Sequence, residues 1–129
     1  APFIVAVQNE ELLARLAKMN AEVMGVTSNP YYDAPTYILV VVSTESHNPI
    51  CDGSCVLENM MLAANALGLG TCWIHREREM FETEEGKQLL KEWGIPENVI
   101  GVGALAIGYP DGEPSPAKPR KEGYYRIIK

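Results

Sequence analysis

The cationic side chains are bunched where chemistry could use them. Of the 11 Lys and Arg residues, five (Lys118, Arg120, Lys121, Arg126 and Lys129) fall in the last twelve positions, opposed there by a single acid, Glu122. The central proline holds Lys118-Pro119-Arg120 extended, and an extended chain turns side chains 118 and 120 to the same side. A planar guanidinium fork beside an ammonium point charge complements a phosphate dianion. A solvated charge cluster at the chain end is the other reading. Cys51 and Cys55 form a CxxxC pair near a helix start, where the dipole could lower a thiol pKa. With Cys72 and His47 they open a redox or metal reading, but the spacing fits no zinc pattern. Cys55 and Cys72 also sit in apolar stretches where cysteine packs as a small hydrophobe. His75, beside Arg76-Glu77-Arg78, is either a general acid or an ordinary surface histidine. No Ser/His/Asp arrangement or paired acidic motif points to hydrolysis.

Alternating strands and helices must position these groups. Phe3–Val7 is a short β-branched run, and Gln8-Asn9 then caps a helix with Glu10 and Glu11 in its first turn and Leu12, Leu13 and Leu16 on one face. Residues 25–35 read as loop. Tyr37–Ser43 is apolar on both faces, as expected of a central strand covered by helices on each side. After a turn-rich connection over 46–53, residues 55–69 read as a helix with only Glu58, Asn59 and Asn65 plainly polar, hence buried nearly all round. Gly68-Leu69-Gly70 closes that helix and leads into a strand, Thr71–Ile74, so it is not a phosphate loop, which would run from strand through glycines into helix. A charged amphipathic helix is expected over 82–93, stopped by Gly94-Ile95-Pro96. Val99–Gly108 is a further strand whose glycines imply a close approach to its backbone. The proline-rich stretch 110–121 is extended, and Tyr124–Ile128 is expected to form a last strand.

A chain of 129 residues with a net charge of -6, 47% hydrophobic residues and three cysteines suits one globular domain. Mean hydropathy is -0.08, and no apolar run approaches the ~18 residues of a membrane span. The acidic balance opposes general attraction to nucleic acid or anionic lipid, and three cysteines cannot build a disulfide framework, so a cytoplasmic setting is expected. The chain starts at Ala1, directly before a strand, with neither an initiator Met nor a signal-peptide pattern. Processing or loss of an N-terminal segment is the expectation. The layered pattern predicts an α/β or α+β sandwich.

Taken together, the run from Asp52 through Glu58-Asn59, Ala63-Ala64-Asn65 and Gly68-Leu69-Gly70-Thr71-Cys72-Trp73-Ile74 resembles the central segment of the nitroreductase family of flavoproteins. Gly101–Pro110 followed by Lys118-Pro119-Arg120-Lys121 resembles the family's last core strand and basic C-terminal motif, and Tyr32-Asp33-Ala34-Pro35 before a β-branched strand also fits. The resemblance implies a single α+β domain over 1–129, an α/β/α sandwich around a mixed sheet, assembled as a homodimer. It implies FMN at the dimer interface and reduction of nitroaromatic, quinone or similar small acceptors by NAD(P)H through alternating electron transfer. On this basis Lys118 and Arg120 match the residues that bind the FMN phosphate. Trp73, Ile74 and His75 match the segment whose backbone lies against the isoalloxazine near N5, and the apolar helix 55–69 becomes the long helix of the interface. Nothing in the chain matches the family's Arg-Ser-x-Arg-type segment or its Asn-x-Gln stretch, so an N-terminally truncated domain is expected. Two alternatives stand beside this reading. One is a nitroreductase-like dimeric binding or structural module without flavin activity; the other is a thiol-redox or metal protein built on Cys51, Cys55 and Cys72.

Overall fold

Eight elements follow one another along the chain in a computed structural model that describes residues 1–129. They are β1 (Pro2–Val7), α1 (Glu10–Met24), β2 (Thr36–Ser43), α2 (Pro49–Ala66), β3 (Gly70–Ile74), α3 (Glu77–Glu82), α4 (Glu84–Glu92) and β4 (Val99–Gly108). The strands form one sheet in the order β1-β2-β4-β3. All three pairings are antiparallel, where a mixed sheet was the expectation. β2 and β4 are the inner strands, which explains why β2 is apolar on both faces: Leu39, Val40, Val41 and Val42 are all fully buried.

One face of the sheet packs with α1, α3 and α4 around Leu16, Tyr37, Leu39, Val41, Met80 and Leu89. The other packs on α2 through Val40, Val42, Leu105 and Leu57. This is the α/β/α layering. A β-bulge on β4 adjusts it: Val40 opposes Gly103 but Val41 opposes Gly101, leaving Val102 as the extra residue. Val102 then faces α2, where a Cβ on Gly53 would lie 2.6 Å from its Cγ2, so Gly53 lets the helix seat on the sheet.

Several elements depart from the sequence expectation. α2 begins at Pro49, earlier than residue 55, because Asn48-Pro49 starts the helix with proline at its first position. It is not buried all round. Only Gly53, Leu57 and Ala64 are buried, and Ile50, Leu62 and the following Leu67 are exposed, because the chain's own sheet covers one side of the helix. The helix expected over 82–93 is α4, Glu84–Glu92, and the short helix α3 that precedes it was not expected. Thr83 separates them, donating from Oγ1 to the Met80 carbonyl at 2.6 Å and capping α4 by accepting from Gly86 N–H. Residues 124–128 form no strand: everything from Tyr109 onward is exposed and irregular. No helix is long and apolar enough to cross a membrane.

Candidate functional site

β3 ends in a strained turn. Trp73 is half-buried against α2, Ile74 is buried in the opposite core, and His75 is exposed. The Trp73 and His75 rings stack with centroids 5.9 Å apart. Trp73 can lie flat on β4 only because position 103 is glycine; a Cβ there would sit 2.5 Å from the indole Nε1. That Nε1 is buried without a hydrogen-bond partner.

Arg76 follows with φ +81, in the left-handed region. For a non-glycine residue this costs on the order of 1–3 kcal/mol and persists only where surroundings enforce it. The enforcement comes from α1. Asn20, fully buried, donates from Nδ2 to the His75 carbonyl at 2.7 Å and accepts at Oδ1 from Arg76 Nη1 at 3.4 Å. With the His75 carbonyl turned inward, no backbone hydrogen bond outside the helices and strands uses the N–H of His75 or of Arg76. The turn therefore offers two amide donors.

Behind it lies a buried acid, Glu77, at the first position of α3. Its Oε1 is approached by Asn20 Nδ2 at 3.4 Å and the Tyr37 hydroxyl at 3.5 Å, while Oε2 is buried without a partner. Burial pushes this carboxyl up to about 8, against smaller lowering effects of its own backbone amide, Tyr37, Arg76 and Asn20. Burial, with the nearby Glu77 charge, raises the Tyr31 and Tyr37 hydroxyls as well, so both stay neutral at any ordinary pH.

The sequence-derived candidates divide into two groups. Trp73 and His75 stack on the α2 side of the sheet while Ile74 between them is buried in the opposite core, whereas Lys118 and Arg120 lie on the exposed C-terminal stretch with no hydrogen bond or ion pair to the body. Within that stretch, the only side-chain hydrogen bonds are those Arg126 donates to the Gly123 and Tyr125 carbonyls. Clefts lined by Phe81, Leu90 and Val99, by Leu13 and Tyr31, by Ala17 and Val26, and by Pro35 and Cys72 include none of these five residues. The cysteines do not converge: Cys51, Cys55 and Cys72 are all free thiols, and no group of metal-ligating side chains forms. Cys55 is exposed rather than packed as a small hydrophobe.

Asn20 and Glu77 were missed from sequence. A signal existed for the second: Glu77, Met80 and Phe81 have the i, i+3, i+4 spacing of one helix face, which places an acid among apolar neighbours.

Residues 5–109 match the family model described as the nitroreductase family. A protein of Archaeoglobus fulgidus, provisionally named NADH dehydrogenase/NAD(P)H nitroreductase, is 38% identical over 63 residues, covering 48% of this chain and 34% of that protein. A protein of Methanothermobacter thermautotrophicus with the same provisional name is 27% identical over 119 residues, covering 85% of this chain and 56% of that protein. The chain thus spans between a third and just over half of these relatives. Among solved structures, a nitroreductase with bound FMN from Bacteroides fragilis superposes with a TM-score of 0.86 at 28% identity, covering 99% of this chain and 76% of that one.

Proposed function

The chain belongs to the nitroreductase family, and from that membership we propose that it is an FMN-dependent oxidoreductase that uses NAD(P)H to reduce small acceptors such as nitroaromatics or quinones. The observation that carries the proposal is the turn after β3, where neither the His75 nor the Arg76 N–H has a backbone partner and Asn20 holds the His75 carbonyl inward, which turns the Arg76 N–H of the same planar peptide the opposite way. The Bacteroides fragilis relative holds FMN on the same fold. The donor set here fits such a group: neutral amide donors for the electron-rich edge of an isoalloxazine, and the unpaired Lys118 and Arg120 for a phosphate.

FMN, when bound here, would supply the redox chemistry between the nicotinamide and the acceptor. The chain's own contribution is placement and electrostatics. Fixed amide donors at His75 and Arg76 favour negative charge developing beside them without having to reorganise. Trp73 and Gly103 fix the level of the turn relative to the sheet. No side chain here is assigned as an acid or base.

A homodimer belongs to the same proposal. Ile50, Leu62 and Leu67 on or beside α2 are exposed apolar residues in a single chain, and a second copy would cover them. The detached position of Lys118 and Arg120 favours the rival reading, a dimeric module of this fold without flavin chemistry. Steady-state oxidation of NADH and NADPH by the FMN-loaded protein, with and without a nitroaromatic or quinone, separates the two. Acceptor-dependent turnover is expected; no turnover with any acceptor would leave the rival.

A further inference from the structure

Glu77 is a buried acid that the proposed chemistry does not use. It is 1% exposed, makes no ion pair, and has only long contacts at Oε1 and none at Oε2. Such surroundings suit a neutral carboxylic acid far better than a carboxylate, which needs strong donors on both oxygens. The carboxyl is also wired to the turn. Asn20 Nδ2 is shared between the His75 carbonyl at 2.7 Å and Glu77 Oε1 at 3.4 Å, and Asn20 Oδ1 takes the Arg76 guanidinium. The Glu77 backbone cannot retreat toward β4 or turn freely on it, since it lies on Gly101, where even a Cβ would come within 2.5 Å of the Glu77 carbonyl oxygen.

Resting on the reading that this turn faces the flavin, we propose that Glu77, acting through Asn20, is a positioning residue for the His75–Arg76 amides. As a neutral acid it leaves Asn20 to hold the His75 carbonyl. Ionised, it becomes the stronger acceptor, draws the Asn20 amide and the Arg76 guanidinium inward, and releases the turn. The groups facing the carboxyl bear this out as a one-proton device. β2 contributes Tyr37, with Tyr31 behind it, both neutral hydroxyls; α1 contributes the uncharged Asn20; β4 contributes only Gly101, which lies on the Glu77 backbone; the turn contributes the permanently charged Arg76. His75, exposed on the outer side of the turn, is the other ionisable side chain of the turn, and replacing Glu77 leaves it in place.

The test follows the backbone amide resonances of His75 and Arg76 from pH 5.5 to 9.5 in the flavin-free protein and in Glu77→Gln, together with FMN affinity by flavin fluorescence quenching. A step in both amides centred near 8 is expected in the wild type and absent from Glu77→Gln. FMN affinity should fall by about tenfold across that step, as for loss of one good hydrogen bond, and stay level in the variant. Amides that do not titrate there, or that titrate identically in both proteins, overturn the proposal. Amides that titrate while FMN affinity stays constant overturn the positioning role. Amides that titrate in a protein that binds FMN at no pH overturn the flavin reading and leave the coupling of Glu77 to the turn intact. Should Glu77→Gln not fold, the wild-type Glu77 side-chain carboxyl carbon must titrate with the same midpoint as the two amides, and different midpoints overturn the proposal.

Discussion

Raising the pH should remove a large part of this protein's stability through one side chain. Glu77 ionises near 4.5 when unfolded and near 8 when folded, because burial disfavours its charged form. The folded state therefore binds this proton more tightly, and unfolding becomes easier as the solution gives the proton up. The stabilisation is fully present below about pH 4.5, is lost progressively as pH rises toward 8, and is gone above it. At about 1.4 kcal/mol per pH unit the gap is worth about 5 kcal/mol, and not less than about 3 if the folded value is a unit lower. Against a typical domain stability of about 5–15 kcal/mol, that is a third or more of the whole. The assay is urea unfolding of the wild type and Glu77→Gln at pH 5, 6.5, 8 and 9. Other carboxylates titrate alike in both and cancel in the difference. The variant should gain on the wild type by several kcal/mol between pH 5 and 8 and level off above it. A difference that does not change with pH would refute the assignment of a buried, neutral Glu77.

Three further outcomes follow from the geometry. Because Arg76 has φ +81, Arg76→Gly should be more stable than Arg76→Ala by about 1 kcal/mol in thermal or urea unfolding, reversing the order normal in a helix interior. Gly101→Ala would place a methyl group 2.5 Å from the Glu77 carbonyl oxygen, so a loss of at least about 1–3 kcal/mol is expected, with the turn displaced in the His75 and Arg76 amide spectrum. Lys118→Ala and Arg120→Ala should each weaken FMN binding several-fold at low salt without altering stability, since both residues are exposed and unpaired, and the deficit should narrow as salt rises; titration of FMN at two ionic strengths measures this.

What could be read in the sequence was set by local rules, and what could not was set by neighbours distant in sequence. β2 is apolar on both faces whichever elements cover it, and the glycines of β4 advertised a close approach that Glu77 and Trp73 do make. Asn9 caps α1 as its type and place require, accepting from Leu12 N–H at 2.9 Å. The short helix α3 was missed because Glu77–Glu82 is a short stretch dominated by charge, whereas α4 was legible from its amphipathic run and the helix-start signature of Thr83-Glu84-Glu85. The exposure of α2 is invisible to hydropathy, which registers an apolar side chain but not what lies against it. Within the site, Trp73, Ile74 and His75 fall together because they are consecutive. The lock on them comes from Asn20, over fifty residues earlier, and no spacing within β3 could announce it.

The central claim is that the turn after β3 serves a flavin. The most direct measurement is the visible spectrum of the purified protein after incubation with FMN and removal of free flavin, followed by NADH or NADPH addition without oxygen. The account expects flavin retained in proportion to protein, bleached by the nicotinamide and recoloured by a nitroaromatic or quinone. A protein that emerges colourless, or whose bound flavin is indifferent to both nicotinamides, would contradict it.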